Sequence, residues 1–110
     1  MKAKKFKIPG GTEGILFPPD RYKKQQIAVV SMLKGVYPQR GYSVNDTCTE
    51  TMYILKGKLI VTINGKKHTL KPGQLISIYP GQKYTVKGTG TSIDIITPAW
   101  DPKQNHIRQK

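Results

Sequence analysis

The stretch that decides the fold is residues 59–70, which read LIVTINGKKHTL. A run rich in aliphatic and β-branched residues, 59–63, is followed by Asn64-Gly65 and then by a second short run that ends at Leu70. Asn-Gly tolerates the two positive φ angles of a type I′ turn, so this pattern predicts an antiparallel β-hairpin. The hairpin indicates a β protein.

Similar short runs of β-branched and aromatic residues recur on both sides of this hairpin, separated by pairs such as Pro72-Gly73 and Pro80-Gly81. No segment has the 3.6-residue period of a confident amphipathic helix. Many short strands with regular turns predict an all-β sandwich or barrel. The predicted strands are residues 14–17, 27–33, 42–45, 51–55, 59–63, 67–70, 74–78, 83–86 and 92–97.

The length of 110 residues fits one domain, and we expect residues 1–110 to form it. The terminal stretches 1–13 and 102–110 are polar and are expected to be arms rather than core. Cys48 is the sole cysteine, which excludes an intrachain disulfide and favours a reducing, cytoplasmic compartment. No apolar run is long enough to span a bilayer, and no apolar segment follows the basic N-terminus as in a secretory signal, so no membrane association is expected.

The formal net charge is +13, with lysines and arginines dispersed along the whole chain. A basic protein attracts nucleic acids and other anions through its long-range field. Dispersal favours an ordinary solvated basic surface, and no helix-turn-helix, zinc-knuckle or RNP-type pattern is present. Binding of a polyanion or nucleic acid through this surface is therefore an alternative that the sequence does not favour.

Two longer stretches carry the functional signal. Residues 41–57 read GYSVNDTCTETMYILKG, and residues 72–84 read PGQLISIYPGQKY. The first resembles the first motif of the cupin family, with Glu50 followed after the usual spacing by Gly57. The second resembles the second cupin motif, and the ending TPAWDP at residues 97–102 is similar to the close of small single-domain cupins. The resemblance covers residues 27–102 and implies a double-stranded β-helix, a jelly-roll barrel with an interior ligand cavity.

The resemblance also implies where a metal ion would bind, and this chain departs from that pattern. Metal-binding cupins use a His-x-His pair and a Glu of the first motif and a His of the second. The paired histidine positions fall here on Val44 and Asp46, or on Ser43 and Asn45 in a looser spacing, and the last falls on Tyr84. Without imidazoles such a site holds transition metals poorly, so we expect no metal and no cofactor.

Strand alternation then selects the residues that would line the cavity. Glu50 and Tyr84 are the candidate catalytic residues, because a carboxyl group and a phenol can transfer protons. If Glu50 points inward, Met52 and Ile54 share its face, while Tyr53 and Leu55 point outward.

The same alternation, continued to other segments, adds Asp46 and Asp94 as candidate ligand-binding residues together with Met52. Arg40 and Tyr42 lie where the chain enters the first motif and are further ligand-binding candidates, suited to an anionic ligand. The structural alternative is that Glu50 is hydrogen-bonded within the barrel, that Asp46 caps a loop and that Asp94 pairs with a surface lysine.

The leading functional hypothesis is a small-molecule-binding cupin without a metal site, acting as a metal-independent isomerase or epimerase on a sugar or carbonyl compound. The sequence does not decide whether the protein is an enzyme. A metal-dependent dioxygenase or isomerase with non-standard ligands is one alternative, and polyanion binding is another. The resemblance also implies a homodimer formed through a sheet face, for which the apolar face of residues 27–33 is a candidate.

Overall fold

The computed structural model describes residues 2–109, and within that range the chain forms nine β-strands and one short 3-10 helix. No helix among these residues is long or apolar enough to cross a membrane. The strands are β1 (Lys4–Ile8), β2 (Thr12–Leu16), β3 (Gln26–Tyr37), β4 (Tyr42–Asn45), β5 (Thr49–Ile63), β6 (Lys66–Leu70), β7 (Leu75–Ile78), β8 (Tyr84–Thr97) and β9 (Asn105–Arg108), with the 3-10 helix at Pro102–Gln104.

The predicted hairpin is confirmed. β5 and β6 pair in antiparallel register up to Ile63 and Lys66. The two residues between them, Asn64 and Gly65, have φ angles of 49° and 82°, as a type I′ turn requires.

The long strands β5 and β8 each contain two of the predicted short strands. Lys56 and Gly57, which separate the predicted strands 51–55 and 59–63, are instead paired residues of β5 that follow a bulge, where the register against β8 shifts between Ile54 and Lys56. Gly57 has a φ of 82°, and a Cβ atom there would lie 2.3 Å from the carbonyl oxygen of Thr89. The glycine therefore bends the strand without ending it.

The sheet curls around β8 into the predicted double-stranded β-helix. One edge of β8 pairs with β5 over its whole length, and the other edge pairs with β4 at Tyr84 and with β3 beyond it. Gly90 and Gly88 of β8 lie opposite the register shift of β3, and Gly90 pairs with Gly57 just after the register shift of β5, so the irregularities of all three strands lie at one level. This bend closes the sheet over its own inner face.

The inner face carries the hydrophobic core, and the alternation predicted for β5 and β8 is confirmed. Met52 and Ile54 are buried, whereas Tyr53 and Leu55 are exposed. Each fully buried aliphatic side chain contributes roughly 1.5–3 kcal/mol. The core cluster consists of Met32, Met52, Ile54, Leu59, Val61, Ile63, Leu70, Ile78, Tyr84 and Val86.

Both terminal stretches differ from the expectation of arms, because both pair with the sheet. β1 and β2 form an N-terminal hairpin whose second strand pairs with β3. Near the other end of the chain, β9 pairs with β4. The sequences of these terminal segments are too polar to predict strands. A segment can nevertheless form a strand when a free sheet edge offers backbone hydrogen bonds and only one of its faces becomes partly buried.

The outer face of the sheet carries an apolar row that crosses five strands. Its residues lie directly opposite one another in the ladders of β2, β3, β8, β5 and β7. We call this set the outer apolar row: Ile15, Val29, Ile93, Tyr53 and Leu75. Tyr53 and Leu75 are among the exposed large hydrophobic residues of the chain.

Candidate functional site

The inner face of the barrel encloses a cavity of about 430 Å³. Most of its wall is apolar, with side chains from β3, β5, β7 and β8. The N-terminal hairpin supplies a further wall through residues such as Phe6, Thr12 and Leu16, and Trp100 contributes from the segment after β8. Polar groups reach the cavity at a few points only, chiefly Glu50, Tyr84, Ser92 and Asp94.

Glu50 is the centre of the polar wall. Its Oε2 atom accepts a hydrogen bond of 2.7 Å from Asn45 Nδ2 and one of 2.9 Å from the hydroxyl of Tyr84. Because Tyr84 lies at the start of β8 and Glu50 near the start of β5, the second bond crosses the interior of the barrel. Burial raises the pKa of Glu50, and the bonds from Asn45 and Tyr84 act in the opposite direction.

Tyr84 is therefore a hydrogen-bond donor to Glu50. Burial and the nearby Glu50 charge hold the pKa of Tyr84 well above the usual value of a phenol. Its ring also lies 6.1 Å from the ring of Tyr37, whose hydroxyl is 3.2 Å from Ser43 Oγ. At neutral pH both phenols keep their protons, and Tyr84 is a fixed donor to Glu50.

Asp94 is the second acid of the cavity. It is 9% exposed, and its Oδ1 atom accepts a hydrogen bond of 2.7 Å from Ser92 Oγ. Burial, together with the charge of Glu50, raises the pKa of Asp94 to about 7. The expected pairing of Asp94 with a surface lysine is thus replaced by a buried contact with a hydroxyl group.

The two acids share one wall because of the pairing between β5 and β8. Glu50 lies opposite Ile96 and Met52 lies opposite Asp94, so the two carboxyl groups occupy diagonal positions on the inner face. Diagonal neighbours are within reach of long side chains. Two carboxyls this close, in an environment of low polarity, disfavour double ionisation.

The four positions that correspond to metal ligands in the family instead form a hydrogen-bonded cluster. Ser43 and Asn45 are fully buried and face inward, whereas Asp46 is exposed. The looser of the two spacings is therefore the one that places residues inside. With Glu50 and Tyr84 these positions supply a hydroxyl, an amide, a carboxyl and a phenol.

This donor set does not fit the metal ion that the family resemblance implies. Residues 2–109 contain no group of three or more His, Cys, Asp or Glu side chains that could hold an ion. Glu50 Oε2 is already occupied by two hydrogen-bond donors, which an ion would have to displace.

Three of the residues expected to bind ligand lie outside the cavity. Asp46 is exposed, because the bend before β5 breaks the alternation between Asp46 and Glu50. Its carboxylate lies 2.7 Å from His106 Nε2. Arg40 is exposed in the loop before β4. Tyr42 lies under the ammonium group of Lys83, 5.1 Å from its ring centroid.

Met52 lies in the cavity wall, as the alternation predicts, and its contact with a ligand stays a prediction. Cys48 is buried and burial raises the pKa of its thiol, which agrees with a passive role. The sequence reasoning missed Thr12, Tyr37 and Asn45. Only Asn45 had a local signal, because one of the two possible alignments with the family motif places a histidine of the metal site at this position. Thr12 and Tyr37 reach the site through the pairing of distant strands.

These features define the class of protein: a small jelly-roll barrel whose cavity is lined by two acids and, among the described residues, by no histidine. The cupin domain family matches residues 38–96, more than half of the chain, and the chain belongs to this family. No curated protein matches the chain in sequence.

Several solved structures share the fold. Pac13, described as a nucleoside dehydratase, has a TM-score of 0.85 at 15% identity, over 97% of this chain and 85% of that one. A Streptomyces Pac13 variant with uridine has a TM-score of 0.86, also at 15% identity, over 97% and 84%. KdgF from Halomonas sp. has a TM-score of 0.73 at 15% identity, over 91% and 90%. At these identities the likeness concerns the fold alone.

Proposed function

We propose that this cupin binds a small, hydroxyl-rich molecule such as a sugar or a nucleoside inside the barrel and transfers protons on it without a metal ion. The observation that carries the proposal is the pair of carboxyl groups, Glu50 and Asp94, on one wall of a largely apolar cavity. A volume of about 430 Å³ lies within the range of small-molecule sites.

The chemistry follows from the different surroundings of the two acids. Glu50 receives two hydrogen bonds and acts as the base, which removes a proton from the carbon next to a carbonyl group of the substrate. Asp94, with a pKa of about 7, acts as the acid, which protonates an oxygen of the substrate. If Glu50 returns the proton to the other face of the same carbon, or to a neighbouring carbon, the reaction is an epimerisation or an isomerisation. If Asp94 instead protonates a departing hydroxyl group, water is released and the reaction is a dehydration.

The charges around the cavity favour a ligand whose reactive part is neutral. The described lining residues deep in the barrel are apolar, hydroxylic or acidic, and the lysines of the lining, Lys4 and Lys5, are exposed residues of β1. An anionic group of the ligand would therefore have its counter-charge near β1 rather than beside Glu50. This arrangement suits a neutral sugar ring with or without an anionic extension.

The comparison with Pac13 supports nucleosides as the first probes. That protein is described as a nucleoside dehydratase, and variants of it are seen with uridine. Its likeness to this chain extends over the whole barrel at low identity, so we carry over the compound class as a proposal for testing.

The test is a thermal-shift panel of neutral nucleosides and monosaccharides, beginning with uridine. We expect at least one compound to raise the Tm of the wild-type protein and to lose most of this effect with Glu50→Gln. That variant is nearly isosteric, and its amide oxygen can still accept from Asn45 and Tyr84. The matched control is Glu13→Gln on the exposed face of β2, which should respond like the wild type.

Proton transfer is tested by NMR in D₂O with the compounds that bind and their carbonyl derivatives. Exchange of deuterium into the carbon next to the carbonyl, lost in Glu50→Gln, is the expected result. Absence of any Tm shift across the panel would overturn the proposed ligand class. One equivalent of Fe, Mn, Ni or Zn per purified chain would overturn the metal-free mechanism.

A further inference from the structure

Asn45 links Glu50 to the C-terminal part of the chain. Its Nδ2 donates to Glu50 Oε2, while its Oδ1 accepts from Gln104 Nε2 at 3.0 Å and from Asn105 Nδ2 at 2.9 Å. Asn45 is fully buried and Gln104 is 6% exposed. The C-terminal segment, defined here as residues 102–108, therefore reaches Glu50 through a single side chain.

The direction of this hydrogen-bond chain is set by backbone groups that cannot reverse. The backbone N–H groups of Thr47 and Cys48 donate to Gln104 Oε1 at 3.2 and 3.0 Å. Because a backbone N–H can only donate, Gln104 must present its NH₂ group to Asn45. Asn45 must then present its oxygen to Gln104 and its own NH₂ group to Glu50.

Reversal of the Asn45 amide would be costly at both ends. Its oxygen would face the Glu50 carboxylate, and its NH₂ group would face the NH₂ groups of Gln104 and Asn105. The segment is also docked through its backbone, because Asp46 N–H donates to the carbonyl of Gln104 at 2.8 Å. The orientation of Asn45 is therefore determined by the C-terminal segment.

We infer that the C-terminal segment, acting through Asn45, decides which of the two cavity carboxyls carries the proton: Glu50 is ionised and Asp94 is protonated. A carboxylate that accepts from two donors is stabilised in its charged form. Among residues 2–109, Asp94 accepts a hydrogen bond from the Ser92 hydroxyl alone, and it faces the negative charge of Glu50. This protonation state matches the roles of Glu50 as base and Asp94 as acid, which rest on the proposed function.

The other titratable groups near the pair do not reverse this order. Tyr84 of β8 is a buried phenol and Tyr37 of β3 a partly buried one; the pKa values of both are raised, so both stay neutral. Burial likewise raises the pKa of Cys48, which precedes β5. Lys4 and Lys5 of β1 border the cavity but are exposed.

The experiment is a pH titration of the side-chain carboxyl ¹³C signals of the wild-type protein without any ligand. We expect Glu50 to ionise at a lower pH than Asp94. Ionisation of Asp94 first would overturn the inference. Because no substrate is used, failure of the proposed function would leave this result unaffected, and a reversed order would leave ligand binding to be tested separately.

Variants test the role of the C-terminal segment. Asn45→Leu removes the donor to Glu50 and should lower the acid dissociation constant of Glu50 about tenfold, as expected for loss of one hydrogen bond to a charged group. The titration of Asp94 should move to lower pH as Glu50 becomes neutral. Gln104→Met should shift both signals in the same directions by less, because Asn105 still donates to Asn45.

The matched control is Thr51→Val. Thr51 follows Glu50 in β5, and its hydroxyl is hydrogen-bonded to Ser77 Oγ, outside the chain of bonds that joins Gln104, Asn45 and Glu50. This variant should leave the Glu50 titration at its wild-type position. If Asn45→Leu does not fold, Gln104→Met and the wild-type order decide; an unchanged Glu50 titration in a folded Asn45→Leu or Gln104→Met protein would contradict the inference.

Discussion

Replacement of Asp94 by asparagine should change how the stability of the protein depends on pH. The folded protein holds the proton of Asp94 up to about pH 7, whereas a free aspartate releases it near 3.8. Between these values the folded state binds more protons than the unfolded state, so the free energy of unfolding falls as the pH rises from about 4 to 7. The amide introduced by Asp94→Asn cannot ionise, so the variant escapes this loss.

The magnitude follows from the size of the pKa change. A difference between 3.8 and about 7, at about 1.36 kcal/mol per pH unit, corresponds to about 4 kcal/mol. Because the unfolded-state carboxyl is already half ionised near pH 4, about 3.5 kcal/mol of this should develop between pH 4 and pH 8. The unfolding free energy of Asp94→Asn, minus that of the wild type, should grow by this amount over that interval.

The assay is urea denaturation at several pH values, followed by the fluorescence of Trp100, with Glu13→Gln as the control. Glu13 is an exposed acid, so its replacement should give a curve parallel to that of the wild type. The amide oxygen of the variant can still accept from Ser92, and any fixed cost of the substitution cancels in the pH dependence. Parallel curves for Asp94→Asn and the wild type would refute a buried, proton-holding Asp94.

Three further predictions concern the barrel and its surface. Gly57→Ala should destabilise the protein by about 3 kcal/mol, measured by urea denaturation. Gly65→Ala, equally at positive φ but with open space around it, should cost about 1 kcal/mol. Equal losses would show that the close approach of Gly57 to Thr89 does not constrain the strand. Thr12→Val should raise the free energy of unfolding by about 1 kcal/mol, because Thr12 Oγ1 is buried without a hydrogen-bond partner among the described residues, and a loss of stability would indicate a hidden partner. We expect a homodimer through the outer apolar row, which Tyr53→Glu should convert to a monomer in light scattering; a monomeric wild type would rule this interface out.

The strands and their inward faces follow from local sequence, and the prediction of them is largely confirmed. The Asn64-Gly65 turn, the inward Met52 and Ile54, and the outward Tyr53 all depend on dihedral preferences and on the two-residue period of a strand. Strand lengths were harder to predict. A glycine that bends a strand and a glycine that ends one look alike locally, and at Gly57 only the pairing with β8 decides between them.

The candidate site was predicted in part. Glu50 and Tyr84 are recognisable because they stand at the positions of a motif, and the structure joins them by a hydrogen bond. Asp46 was wrong as a cavity residue, since a bend of two residues before β5 is enough to break the alternation. Thr12 reaches the wall through a hairpin whose sequence is too polar to predict as part of the barrel.

The sequence by itself determined the β character of the chain, the family motifs and the absence of histidines from the ligand positions, because these are properties of single segments. Only the tertiary structure decided that Ser43 and Asn45 face inward, that Asp94 lies diagonal to Glu50, and that Gln104 reaches Asn45 across 59 residues of sequence. These relations depend on the register between distant strands and on the curl of the sheet. Both result from long-range pairing, which no local period encodes.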